Sequence, residues 1–347
     1  MRILYAVQAT GNGHISRAME LLPYLQHYGK VDIFLSGNNS SLDLDAPVKY
    51  RSKGLSLYYN CKGGLDYWQI ARAFQLPRLK KEIKELPVEK YQLVINDFEY
   101  ITAAACAKKK IPSVNFGHQA SFQSDNTPRP EKRNVAGEWV LKNYAKASRY
   151  IGLHFKQYDD FIFPPVIKKE ILEAEPADKK YITVYLPSFC EQQLKDLLKS
   201  FSDFRFEVFS KETKQSYHFH NINFLPVEKN RFNKSLINCT GIITGAGFET
   251  PAEALHLGKK LMCIPIRGQY EQLCNAAALK EMGIVCLKKT GDDFEERFIN
   301  WIQAPAIDNI NYRNSTEWCL EYLFSKATPS YQEKMAATPS GLFSFLF

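Results

Sequence analysis

Two glycine turns carry residue types suited to chemistry on a charged substrate. The first, Thr10-Gly11-Asn12-Gly13-His14, closes the apolar run Ile3-Leu4-Tyr5-Ala6-Val7 and opens a helix-spaced segment with Ser16 and Arg17. Glycines allow a tight turn and a close backbone approach to a ligand. A histidine there is a base near neutral pH, able to take a proton from an attacking hydroxyl. At a helix start the dipole lowers its pKa and favours the neutral ring. The other role open to His14 is to cap the turn or touch phosphate. The second turn, Gly245-Ala246-Gly247, follows the apolar run Ile242-Ile243-Thr244. Thr250, Pro251 and Glu253 come next and predict an N-cap, a first helical position and a third, the pattern of a capping box. Free N–H groups at such a start favour phosphate.

Asp97 and His118-Gln119 stand just after the apolar runs Leu93-Val94-Ile95 and Ser113-Val114-Asn115-Phe116. If both runs are parallel strands, all three side chains reach the ligand-binding edge of one sheet. Asp97 could equally cap a helix starting near Tyr100. His118 could touch either substrate or stand in as the base. No metal site is expected. Asp43-Leu44-Asp45 reads as a solvated turn before Pro47, and His218-Phe219-His220 lacks a third ligand. The eight cysteines include no Cys-x-x-Cys pair and read as small reduced core residues.

The elements that must position these residues alternate from the start. Residues 2–8, 31–35, 93–95 and 113–116 predict strands, and residues 14–27, 66–86 (broken at Pro77) and 101–109 predict helices. A second series has strands at 181–186, 206–209, 241–244, 261–264 and 284–287. Alternation of this kind predicts an α/β protein of two doubly wound, Rossmann-like domains facing a cleft. The expected boundaries are 1–155 for an N-terminal acceptor domain, 156–180 for a linker and 181–304 for a C-terminal donor domain. A helix over 305–326 is expected to pack back on the first domain, and 327–347 to be a loose tail. With 347 residues, 45% hydrophobic and 24% charged, the chain is ordinary for a globular protein of two domains. No apolar run approaches the roughly 20 residues of a membrane helix. The N-terminus reads as a core strand and not a signal peptide, so the expected location is cytoplasmic. A net charge of +8 suits an anionic ligand, an anionic membrane surface or nucleic acid, and no motif supports the last.

The stretch from Thr244 to Ala278 reads Gly-x-Gly-x-x-Thr-x-x-Glu-Ala, then a strand ending in Pro265, then Glu271-Gln272-x-x-Asn275-Ala276. It resembles the donor-binding signature of GT-B glycosyltransferases, the MurG-like and UDP-glycosyltransferase-like enzymes. The resemblance covers about 35 residues closely and the rest at the level of fold and short motifs. It implies that Gly245, Ala246 and Gly247 present N–H groups to a nucleotide diphosphate and that Glu253 binds the ribose hydroxyls, unless Glu253 is only a cap partner. It implies that Glu271 and Gln272 bind the transferred sugar, and that Asn275 orders its helix start or touches the donor. The segment with Phe224 and Leu225 would hold the base, partly through backbone groups. Relatives also share the Gly13-His14 turn, and in some an Asp near the position of Asp97 orients the base. Plant-type relatives have a histidine where Gly245 stands. Phosphate binding here would lean on backbone donors, with Ser188 or Arg267 as further contacts.

The expected activity is transfer of a hexosyl group from a UDP-type nucleotide sugar to an acceptor hydroxyl, inverting and independent of metal or other cofactor. The acceptor could be a carbohydrate, a lipid-linked or a small molecule. Tyr67, Trp68, Arg72, Phe74 and Arg78, with Lys80, Lys81 and Lys84, suggest a peripheral membrane surface or an ordinary charged helix face. Two rivals share the fold: a nucleotide-sugar 2-epimerase and a non-catalytic nucleotide-sugar-binding protein. The second would not need His14.

Overall fold

A computed structural model describes residues 1–9, 11–37, 44–54, 76–291, 293–306 and 308–325. Thr10, Asp43, Tyr67, Trp68, Arg72, Phe74 and the segment 327–347 lie outside the described residues.

The first half builds a sheet from β1 (Arg2–Gln8), β2 (Lys30–Ser36), β3 (Val48–Ser52), β4 (Leu93–Asp97), β5 (Val114–Gly117), β6 (Arg149–Leu153) and β7 (Ile162–Phe163). Their order is β3-β2-β1-β4-β5-β6-β7, all parallel. The second half builds a matching sheet from β8 (Ile182–Tyr185), β9 (Phe206–Ser210), β10 (Tyr217–Phe219), β11 (Ile222–Pro226), β12 (Gly241–Thr244), β13 (Lys260–Cys263) and β14 (Val285–Cys286). Its order is β10-β11-β9-β8-β12-β13-β14, with only the β10–β11 pair antiparallel. Helices α1 (Asn12–Tyr28), α2 (Leu76–Glu85), α3 (Tyr100–Lys109), α4 (Val135–Asn143) and α5 (Lys169–Leu172) accompany the first sheet. With the second are α6 (Glu191–Leu198), α7 (Lys229–Asn238), α8 (Glu249–His256), α9 (Tyr270–Glu281), α10 (Phe294–Gln303) and α11 (Ser315–Ser325).

Parallel strands covered on both faces must be apolar throughout. Ile3 through Val7 of β1 and Ile242 and Ile243 of β12 accordingly show no exposed surface. Each of the Ile, Leu and Val side chains among them contributes about 1.5–3 kcal/mol through burial. In both sheets the order reverses beside the first strand, at β1/β4 and at β8/β12. A crevice opens beyond the carboxyl ends of the strands at such a point. The turns at Gly11–His14 and Gly245–Gly247 leave β1 and β12 at these two crevices.

The segment expected as a linker is partly built into the first sheet. Phe163 pairs with Leu153, so β7 extends that sheet by one strand, and α5 follows. Helix α1 starts at Asn12, two residues before the predicted start, and carries Pro23 inside it. Of the helix expected over 66–86, Leu76–Glu85 is described. Pro77 is the second of these described residues, and 66–75, where the expected break would show, lie outside the described residues. Helix α11 returns to the first half of the chain. Phe324 stacks on Tyr28 of α1 with ring centroids 3.5 Å apart, and Tyr322 meets Phe163 of β7.

Candidate active site

On the N-terminal side, β1 runs through an extended Gly11 into α1, whose start has no side-chain cap. His14 is the third helical residue and Arg17 lies one turn on, on the same face. Asp97 ends β4, the strand beside β1. These placements bring the three together. His14 Nδ1 lies 2.9 Å from Asp97 Oδ1. Arg17 donates to the same carboxylate from Nε at 3.2 Å and from Nη2 at 2.7 and 2.9 Å, and its Nη2 is 3.0 Å from His14 Nδ1. Asp97 and Arg17 are buried, and an ionised carboxylate survives there only because it is paired and hydrogen-bonded. Burial pushes the Asp97 pKa up, but Arg17 and then His14 outweigh it and hold the carboxyl below its usual range. Burial likewise pushes His14 down, yet the Asp97 charge and hydrogen bond prevail, so its pKa rises from 6.5. This reverses the expected depression by the helix start, because a carboxylate in contact outweighs a partial charge.

Asp97 does not cap α3. Glu99 does, accepting from the N–H groups of Ile101 at 2.9 Å and Thr102 at 2.6 Å. The chain makes that switch at Phe98, a non-glycine residue with φ of 52° that also lines the cavity. Gly117, at the end of β5, gives the carboxylate room: a Cβ there would sit 2.7 Å from Asp97 Oδ1.

On the C-terminal side, α8 begins at Glu249 with Phe248 as its N-cap, and no side chain caps it. The predicted capping box is therefore absent. Thr250 is already the second helical residue, and Glu253 is the fifth. Its carboxylate is buried and paired with Lys168 of the segment after β7, at 2.9 Å from Oε1. Lys168 also donates to Asn233 at 2.9 Å. Burial raises the Glu253 pKa against the pull of Lys168. Phe224 and Leu225 are core side chains, Phe224 stacked on Tyr217. Asn275 sits in the second turn of α9, fully buried. It donates to the Ala246 carbonyl at 3.0 Å and lies 2.7 Å from His118 Nε2. It thus braces the glycine loop and does not order the start of its own helix.

Between these walls lies a cavity of about 480 Å³. Of the expected site residues, Gly13, His14, His118, Ser188, Gly247, Glu271 and Gln272 line it. Asp97, Phe224, Leu225, Gly245, Ala246, Thr250, Glu253 and Asn275 are not among its lining residues, nor is the exposed Arg267. His118 is engaged at both ring nitrogens, through Nδ1 to the Leu153 carbonyl at 2.9 Å and through Nε2 to Asn275, and it stacks on Phe248. Burial lowers its pKa. It is a contact between the two halves, with both ring nitrogens already against protein oxygens. Gln119 donates to Glu271 across the cavity at 3.1 Å. The Gln272 side-chain oxygen accepts from the Ile266 N–H at 2.9 Å.

Arg17, Tyr185, Lys211 and Glu249 are polar or charged lining residues to which the sequence reading gave no role. Arg17 was legible as the residue one turn after His14. Lys211 was legible as the residue leaving β9 at the binding edge, and burial lowers its pKa. Glu249 follows the glycine loop directly, but its pairing with Arg17 of the other half needs the tertiary structure. Among the described residues, no three His, Cys, Asp or Glu side chains gather to hold a metal ion, and no helix is long and apolar enough to cross a membrane.

The fold has solved counterparts. Arabidopsis thaliana UGT89C1 complexed with quercetin superposes with a TM-score of 0.59 at 13% identity, covering 97% of this chain and 98% of that one. The glycotransferase of kitacinnamycin gives 0.56 at 14% identity, covering 92% and 93%. Phytolacca americana UGT2 complexed with UDP-2fluoro-glucose and pterostilbene gives 0.56 at 14%, covering 97% and 98%. At such identities the likeness concerns the fold, which is that of GT-B glycosyltransferases. No curated protein matches the chain by sequence. Residues 1–302 match the model of the family described as Glycosyl transferase family 1, so the match spans both sheets and both glycine turns. The chain is a GT-B glycosyltransferase and belongs to glycosyl transferase family 1.

Proposed function

We propose that the chain transfers a hexosyl group from a UDP-type nucleotide sugar to a hydroxyl of a small-molecule acceptor, with inversion and without a metal. One observation carries this reading. The cavity-lining His14 is bonded through Nδ1 to a buried, ionised Asp97, which leaves Nε2 as its basic nitrogen. Nε2 takes the proton of the acceptor hydroxyl as its oxygen attacks the anomeric carbon. The bond from that carbon to the diphosphate oxygen breaks, and the nucleoside diphosphate leaves. Asp97 stabilises the imidazolium so formed, as in other carboxylate–histidine pairs. A single displacement of this kind inverts the anomeric carbon.

Gly247, Ser188 and the uncapped start of α8 stand on the donor side of the cavity, with Glu271 and Gln272 beside them for the sugar. Phe98, Val140 and Tyr144 line the N-terminal side and suit an apolar or aromatic acceptor. Structures of UGT89C1 complexed with UDP, with UDP-L-rhamnose and with quercetin support a nucleotide-sugar donor and a small-molecule acceptor. The test is UDP release from a panel of UDP-sugars with and without phenolic acceptors. Release that requires both acceptor and His14 supports transfer. Acceptor-independent conversion of the sugar would point to the epimerase instead, and binding without turnover to a non-catalytic role.

A further inference from the structure

Glu249 is a carboxylate in the part of the cavity where a nucleotide sugar would bring its diphosphate. It is the first residue of α8, two positions after Gly247, and its side chain crosses to the opposite wall. There it lies so close to Gly13 that a Cβ on that residue would overlap it. It ion-pairs with Arg17 Nη1. The Arg17 fork is thus divided. Nε and Nη2 hold Asp97 inside the N-terminal half, while Nη1 faces the cavity and holds Glu249. The two partners differ in access: the Asp97 side chain has no exposed surface, and that of Glu249 is 21% exposed. Glu249 can therefore swing towards solvent while Asp97 keeps Arg17 in place. The guanidinium would then present Nη1 to another anion with no rearrangement of its own. A planar, permanently charged fork is suited to phosphate oxygens.

We propose that Glu249 holds the place of the donor's diphosphate, and that the diphosphate takes over Arg17 Nη1 when the donor binds. Arg17 then carries part of the charge that develops on the leaving group, while its other edge still orients Asp97. This inference rests on the nucleotide-sugar reading above. It makes an unusual demand: removing a cavity carboxylate must strengthen binding, and only for ligands with phosphates.

The experiment is calorimetric titration of the full chain with UDP and with uridine, on wild type, Glu249→Gln and Arg17→Lys. Glu249→Gln keeps the size and polarity of the side chain and is expected to tighten UDP roughly tenfold while leaving uridine unchanged. Arg17→Lys is expected to weaken UDP and to lower kcat more than it raises KM. The inference is overturned if Glu249→Gln weakens UDP, leaves it unchanged, or tightens uridine equally. If wild type binds UDP and only the Glu249→Gln effect is missing, the inference alone falls. If neither wild type nor Glu249→Gln binds UDP, the donor reading falls and the inference with it.

Discussion

His14, Asp97 and Arg17 act as one unit, so their substitutions should report on charge before they report on shape. Asp97 holds the His14 pKa above 6.5. The base form is lost as pH falls through that raised value, so the acid limb of kcat/KM is expected above pH 6.5. In Asp97→Asn the limb should move to lower pH and turnover should fall. A limb unmoved by that substitution would mean that His14 is not the titrating base. His14→Ala is expected to lower turnover by roughly 10²–10⁴-fold. UDP affinity, measured by titration, should hardly change, because the donor is held mainly by the other half. An alanine variant that loses UDP instead would make His14 a phosphate contact. Both histidine candidates stood at strand exits in the sequence. Their neighbours separate them: His14 is in hydrogen-bond contact with the Asp97 carboxylate, while His118 contacts the Leu153 carbonyl and the Asn275 amide, with the Glu271 carboxylate 3.9 Å away.

At the scale of elements, the strand ends place the site and the helix starts modify it. Gly117→Ala adds a Cβ 2.7 Å from Asp97 Oδ1, so the carboxylate must shift against His14. The expected result is a folded protein with reduced kcat and a displaced acid limb, measured beside a thermal melt that stays near wild type. Glu253 makes the opposite kind of prediction. Since its carboxylate is committed to Lys168, Glu253→Ala leaves a buried ammonium unpaired and should cost about 3–5 kcal/mol in a denaturant melt. Replacing both partners by apolar residues, Lys168→Met with Glu253→Leu, should recover much of that loss. If Glu253→Ala keeps its stability and loses UDP affinity instead, Glu253 binds the ribose after all. The capping box was a reasonable local expectation from Thr250-Pro251-x-Glu253. The helix instead begins at Glu249, with Phe248, stacked on His118 of the other half, at the N-cap.

At the scale of the molecule, the two halves are held together by contacts around the cavity. Arg17 meets Glu249, His118 meets Asn275 and Phe248, Gln119 meets Glu271, and Tyr270 donates to Glu138 at 2.6 Å. A donor bound between the sheets stabilises only the folded arrangement. UDP at about 100 times its Kd should therefore add about 2.7 kcal/mol, seen as a rise in Tm. Activity is expected to persist in EDTA, since the proposed displacement uses protein donors alone. Loss of activity restored by manganese would overturn that part of the proposal.

The sequence by itself determined the two doubly wound halves and the strand exits where chemistry could gather. Apolar runs such as Ile3–Val7 and Ile242–Ile243 can be satisfied only as buried parallel strands, and the glycines after them can only be turns. These are local requirements, and local composition states them. The tertiary structure alone decided which exits would meet. Lys168 lies 85 positions from Glu253 and Glu249 lies 232 from Arg17, and neither pairing leaves any spacing to read. A buried charge takes whichever opposite charge the fold brings within reach. The partners of Glu249 and Glu253 were therefore set by the docking of one half on the other.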